Sequence, residues 1–412
     1  MIKQEEENVK RILVIGGGAS GMMAAIQAAI NGAQVTIYEK NDRVGKKILA
    51  TGNGKCNLSN TDMDLSNYYC ADYEKLAACF SRFSEKDTVS FFESHGLMIK
   101  DKGGYLYPYS EQASTVLDIL RIALRKYNIT VLTTVTDMEL TVKKNDKFVV
   151  ESSAGKKEFD SVILACGSRA GIKNATTEGY NLAKNFGHGI IPLEPALVQV
   201  RCEEDFFPSV AGVRCKAGIS LYCGQDKIAC DEGELQLTDY GISGIPVFQI
   251  SRIIARELRA KRDLAVYIDF IPHMTNEQWE DYITNRIRNY QGLTIEDFMT
   301  GLLHKKIGLM LIKKYGLKPG DILGIQQEET ILLICKSMKK FMVTPKQVNG
   351  FEQAQVCSGG VDFTELTMDL ESIYRPGLFI CGEMVDVDGK CGGYNLQWAW
   401  TSGYIAGVSA AK

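Results

Sequence analysis

The stretch Gly16-Gly17-Gly18-Ala19-Ser20-Gly21 constrains this chain more than any other. It separates a short branched apolar run, Arg11 to Ile15, from an Ala/Met/Ile-rich segment, Met22 to Ile30, that stops at Asn31-Gly32; a second apolar run follows from Ala33 to Tyr38. Short apolar runs of this kind read as buried parallel strands, and the segment between them as a helix ended by glycine. Strand, glycine turn, helix and strand form a right-handed βαβ unit. The spacing G-x-G-x-x-G is the one with which such a unit brings backbone and a helix N-terminus up to a pyrophosphate. Glu39 closes the second strand 18 residues after Gly21, where a carboxylate can bind a ribose 2′-hydroxyl and disfavours a 2′-phosphate. FAD or NAD is the expected ligand, not NADP.

The same residues argue against a membrane span. Ile12 to Tyr38 carries no charge, but Gly16, Gly17, Gly18, Gly21 and Gly32 interrupt it, and Glu5, Glu6 and Glu7 stand where a signal peptide would be basic. A chain of 412 residues predicts two or three domains. Lys plus Arg number 47 against 50 Asp plus Glu, and no dense basic run is present, so nucleic acid is not an expected partner. The twelve cysteines are scattered without a C-x-x-C pair or a His-rich cluster, which predicts free thiols, no metal and a cytoplasmic protein.

Ser161 to Ala165, before Cys166-Gly167, and Leu378 to Cys381, before Gly382-Glu383, read as further buried strands of the same sheet. The nucleotide domain is then discontinuous, 1–190 plus 353–412. Residues 191–270 and 330–352 are expected to form an inserted β-rich substrate domain, and 271–329, polar and periodic, a small helical cap. The predicted fold class is α/β, doubly wound and Rossmann-like.

Beyond Glu39, Lys46-Lys47 and Thr51-Gly52-Asn53-Gly54-Lys55-Cys56-Asn57 place cations, small residues and amides in a loop suited to a ligand that continues past its pyrophosphate. Near the C-terminus, Gly392-Gly393-Tyr394-Asn395 precedes a helix from Leu396 to Ala406, whose N–H groups suit charge on a reduced flavin ring.

The run Lys46 to Asn57 and the run Gly382 to Ala399 resemble the signatures of the HI0933-like, or BaiN-type, flavoproteins. Gly104 to Ser110 and Thr238 to Gly244 are similar to two further segments of that family. The resemblance implies non-covalent FAD held by Gly16, Gly18, Ala19, Ser20, Gly21, Glu39 and Lys40. It adds Lys47, Gly52, Asn53, Gly54 and Asn57; Ala165, Cys166 and Gly167; and Gly382, Glu383, Gly392, Gly393, Asn395 and Leu396. It implies an FAD-dependent oxidoreductase that reduces a hydrophobic C=C or carbonyl, such as a steroid-like enone. The alternatives are a flavin amine oxidase of the aminoacetone-oxidase kind and a flavin-dependent tRNA-modifying protein.

The sequence departs from the family at Cys166-Gly167-Ser168, at Asn174 to Glu178 and at Asp239, where the resemblance implies His in many relatives, and these changes fall toward the substrate side. The substrate is expected between the flavin ring and the insert. Only one complete G-x-G-x-x-G is present, so NAD(P)H is expected as a transient reductant without a domain of its own. The four histidines, His95, His188, His273 and His304, share no triad or ligand spacing; Cys56 reads as a loop thiol, and Trp398 and Trp400 as packing residues. No catalytic residue is assigned; Tyr107, Tyr240 and Asp239 are proton-donor candidates.

Overall fold

The computed structural model describes residues 9–172 and 177–412, which form two compact units. One runs to Glu194 and resumes at Gln355; the other spans Pro195–Ala354. Three residues of the departure at Asn174 to Glu178 lie outside the described residues.

In the first unit, β1 (Arg11–Ile15), α1 (Ala19–Ile30) and β2 (Gln34–Tyr38) make the βαβ start. A five-stranded sheet runs in the order Leu378–Ile380, Ser161–Leu164, β1, β2, Thr130–Leu132, with every pairing parallel. Ile12, Leu13, Val14 and Ile15 are at most 1% exposed, so β1 is covered on both faces, as a central parallel strand must be. The segment before Thr130 and the one before Leu378 return the chain to the two edges. The fold is the doubly wound one that the glycine turn predicts.

The closing helix, Tyr394–Ala411, packs along α1. A Cβ at Gly403 would stand 2.5 Å from Ser20 O, and one at Gly407 2.3 Å from Ala24 O, so two glycines one helical turn apart set how closely these helices approach. A small antiparallel sheet joins Ser59–Asn60, Tyr105–Pro108 and Ile99–Lys102.

The second unit holds a seven-stranded antiparallel sheet in the order Phe341–Val343, Leu264–Asp269, Arg214–Cys223, Asp226–Leu237, Gly241–Gly244, Val200–Cys202, Pro345–Val348. Its helices depart from the sequence expectation. Ile245–Arg259 is helical within the stretch expected to be β-rich, and Ile325–Lys339 runs past residue 329 into residues expected as sheet. Ile331, Ile334, Cys335 and Met338 are buried at i, i+3, i+4 and i+7, the helical period that a reading by average polarity passes over. Trp279, Ile283 and Ile331 share one apolar core with Ile219 and Val266 of the sheet, so the helices are part of the unit and not a separate cap.

Candidate functional site

The three motif glycines do three different jobs. Gly16 has φ 108°, and a Cβ there would lie 2.3 Å from Ala165 O, so only glycine makes this turn beside the next strand. A Cβ on Gly21 would be 1.9 Å from Gly16 O, which locks α1 against its own turn. A Cβ on Gly18 would meet nothing within 4 Å: this glycine faces open space at the head of α1. Gly18 is also the N-cap, no side chain caps the helix, and its first turn holds no acidic residue. The N–H groups and the positive end of the dipole are therefore presented to an anion.

Glu39 is 7% exposed, and its carboxylate is held in place from two sides. Gly17 N–H donates to Oε2 at 2.8 Å; Asn41 donates to Oε1 from its backbone N–H at 2.8 Å and from Nδ2 at 2.6 Å. A carboxylate offers about four lone-pair positions, and these three bonds leave one for a ribose hydroxyl.

Gly16, Gly18, Ala19, Ser20, Glu39, Lys40, Lys47, Ala165, Cys166, Gly167, Glu383, Asn395 and Leu396 line one groove that runs along the C-terminal ends of the parallel strands, where ligands of doubly wound sheets bind. The other expected contacts do not line it. Gly21 packs under the turn. Gly52, Asn53 and Gly54 belong to the Ile48–Gly54 segment, of which Ile48 and Thr51 reach the groove. Asn57 is buried, Gly382 N–H donates to Ser402 Oγ at 2.9 Å, and a Cβ on Gly393 would collide with Ser59 O at 2.5 Å. Gly392 lies against Tyr105, whose ring carbon would be 2.9 Å from a Cβ there.

At the far end of the groove, Glu383 accepts from Lys47 Nζ at 2.5 Å through Oε2 and from Cys357 N–H at 2.9 Å through Oε1. Gly393, with φ 98°, heads the closing helix, again without a side-chain cap. Asn395 braces this end: its Oδ1 accepts from Gly389 N–H at 2.9 Å and its Nδ2 donates to Gly389 O at 2.7 Å. Trp398 lines the groove while donating from Nε1 to Gly382 O at 3.1 Å; Trp400 donates to Leu58 O at 3.0 Å and is fully buried.

Sequence reasoning missed several wall residues. Asn41, two positions after Glu39, was findable as the carboxylate's partner. Tyr38, Met138, Ile172, Tyr180, Gln355 and Val356 carry no local signal and are brought in by the fold.

Burial pushes the Cys56 and Cys166 thiols up to about 12, so neither is a thiolate near neutrality. His188 lies between Glu365 and Ser372, at 3.1 and 2.7 Å, a structural environment. Of the proton-donor candidates, Tyr107 has its hydroxyl pKa raised by burial. In the second unit, Tyr240 accepts from Asn349 Nδ2 at 2.9 Å with the Arg201 guanidinium 4.3 Å from its ring centre, and Asp239 is exposed. Among the described residues, none of the twelve cysteines forms a disulfide, no cluster of His, Cys, Asp and Glu could hold a metal, and no helix is long and apolar enough to cross a membrane.

The model of the HI0933-like protein Rossmann domain matches residues 10–409. A 3-dehydro-bile acid delta(4,6)-reductase of Clostridium scindens is 42% identical over 411 residues, covering 98% of this chain and all of that one. A ribosomal RNA dihydrouridine synthase of Haemophilus influenzae is 29% identical over 428 residues, covering both chains completely. Among solved structures, a 3-ketosteroid-delta4-(5alpha)-dehydrogenase of Rhodococcus jostii covers 100% of this chain and 98% of its own with a TM-score of 0.51 at 16% identity, a likeness of fold.

Proposed function

The chain belongs to the HI0933-like family and is an oxidoreductase; from that premise we propose that it holds FAD in the groove and reduces a C=C bond conjugated to a carbonyl in a hydrophobic, steroid-like substrate. The residues fit the cofactor. Open space over Gly18, the uncapped head of α1 and the one remaining acceptor position on Glu39 suit a pyrophosphate and a ribose, and a second uncapped helix head at Gly393 lies at the other end.

When bound, FAD supplies two-electron hydride chemistry. The chain supplies the rest. The head of α1 neutralises the pyrophosphate, Glu39 orients the ribose, and the Lys47–Glu383 pair fixes the wall between them and the closing helix. The dipole of that helix favours negative charge in front of Gly393. Burial keeps the groove-lining Cys166 thiol protonated near neutrality.

The observation that carries this reading is the dinucleotide-type groove in a chain 42% identical, over 98% of its length, to a 3-dehydro-bile acid delta(4,6)-reductase. A second reading has its own support in the ribosomal RNA dihydrouridine synthase relative. A uracil ring also holds a C=C conjugated to a carbonyl, so one hydride chemistry would serve both substrates. The net charge of -3 disfavours a polyanion.

Turnover tests separate the readings. Purified protein is given a reductant and a 3-oxo-4-ene steroid, unmodified ribosomal RNA, or a small primary amine with oxygen. The proposal expects a saturated ketone from the first. Dihydrouridine alone, or hydrogen peroxide from the amine alone, would overturn it.

A further inference from the structure

We propose that one face of the hairpin Ile99–Lys102 and Tyr105–Pro108 is a docking site for the phosphate groups of a dinucleotide electron donor. The inference rests on the reading above that this chain is a reductase and therefore needs a donor.

Antiparallel pairing sets Lys100 opposite Tyr107 and Lys102 opposite Tyr105, and strand alternation puts these four side chains on one face. Lys55, from the loop after the groove segment Ile48–Gly54, joins them. The ammonium groups of Lys55, Lys100 and Lys102 converge on a single carboxylate, Glu111, with Lys100 at 2.5 Å and Lys55 at 3.2 Å. Three cations on one anion leave two positive charges uncompensated. That matches a phosphate monoester or a pyrophosphate, and exceeds what one carboxylate ligand would neutralise.

Glu111 has the marks of a stand-in anion. Its φ is 53°, and its N–H closes a turn on Pro108 O at 2.9 Å, which aims the carboxylate at the lysines. The same lysines keep its carboxyl at about 2, ionised at any working pH, and an incoming phosphate can share or take over its place.

The face also offers aromatic surface. Lys100 Nζ lies 5.3 Å from the Tyr109 ring centre and Lys102 Nζ 5.8 Å from that of Tyr107, while Tyr105 and Tyr109 are exposed and available to stack on a base. It adjoins the cofactor groove: Tyr107 packs beside Gly52, next to the wall residue Thr51, and Tyr105 packs on Gly392 at the approach to the closing helix. The chain's one complete glycine motif is committed to the first dinucleotide, so phosphates of a second must be met by side chains, and lysines are the side chains that do so as point charges.

The test is a calorimetric titration of oxidised, FAD-loaded protein with NAD+, NADP+ and inorganic pyrophosphate at low salt. Lys100→Gln/Lys102→Gln should weaken dinucleotide binding by about tenfold or more, as charge-assisted bonds to phosphate are lost. Glu111→Gln should tighten it by removing the competing anion. Equal losses for NAD+ and NADP+ assign the pyrophosphate to this face, and a loss confined to NADP+ assigns the 2′-phosphate; both uphold the proposal. Unchanged affinities in both variants would overturn it. FAD content and melting temperature report on folding, and Lys102→Gln alone replaces the double variant if that one does not fold. Enone reduction by dithionite-reduced protein checks the underlying reading separately: if it proceeds while dinucleotide binding ignores the lysines, only the docking site fails.

Discussion

Lys47 Nζ sits 2.5 Å from Glu383 Oε2, joining residues 336 positions apart in the chain. The pair ties the loop that follows β2 to the end of strand Leu378–Ile380, joining two distant chain segments at one place on the groove wall. Both side chains are largely sheltered, so the bond is charge-assisted and only partly screened. Lys47→Met should cost about 1 to 2 kcal/mol in urea denaturation, because Glu383 keeps its bond from Cys357 N–H. Glu383→Ala should cost more, leaving both Lys47 and that N–H without their acceptor. A Glu383→Ala variant as stable as Lys47→Met would contradict this division.

The motif glycines make a sharper prediction, because two substitutions of equal size should fail in different ways. Gly21→Ala drives a methyl into Gly16 O and should lower the yield of folded protein or its melting temperature. Gly18→Ala meets no protein atom within 4 Å and should leave the apoprotein's melting temperature unchanged while weakening FAD binding. Flavin fluorescence titration beside thermal melting measures both. Identical behaviour of the two variants would show that Gly18 does not face the cofactor.

Glu39→Ala should weaken FAD binding by about 1 to 3 kcal/mol, the range for losing a hydrogen bond to a buried charged acceptor. Glu39→Gln should recover part of that loss, since an amide oxygen can still accept. The dissociation constants come from the same fluorescence titration, and an unaltered constant in Glu39→Ala would place the ribose elsewhere.

Much of the first unit is readable from sequence because its signals are local. β1, the glycine turn and β2 are contiguous, and a buried parallel strand such as Ser161–Leu164 shows as an uninterrupted apolar run. Thr130–Leu132 has no such run: it is a three-residue edge strand identified only by its pairing with β2. The groove divides in the same way. Gly18 and Glu39 follow from spacing, whereas Gln355 and Val356 arrive from the other side of the 160-residue insert and only the tertiary fold places them on the wall. Gly392 and Gly393 were legible as a helix start, but sequence gives no warning that Tyr105 and Ser59 stand against them.

A pH dependence follows from His188, which burial holds below its ordinary value of 6.5 against the opposing pull of Glu365. The folded state therefore prefers the neutral ring, and below 6.5 the unfolded chain binds the proton first. The contribution of this site is complete above 6.5 and declines as the pH falls through the lowered folded value. The melting temperature should drop between pH 7 and pH 5, and His188→Gln should flatten part of that drop. An equal slope in the variant would assign the acid sensitivity to other groups.

The central claim is that flavin held in this groove passes a hydride to a conjugated C=C, and an anaerobic single turnover tests it most directly. Holoenzyme is photoreduced until its visible flavin absorption is bleached, then mixed in a stopped-flow cell with one equivalent of a 3-oxo-4-ene steroid. The account predicts return of the oxidised flavin spectrum at a rate that saturates with steroid concentration, with one saturated ketone formed per flavin. A spectrum that stays bleached with the steroid, yet recovers when oxygen is admitted, would contradict it.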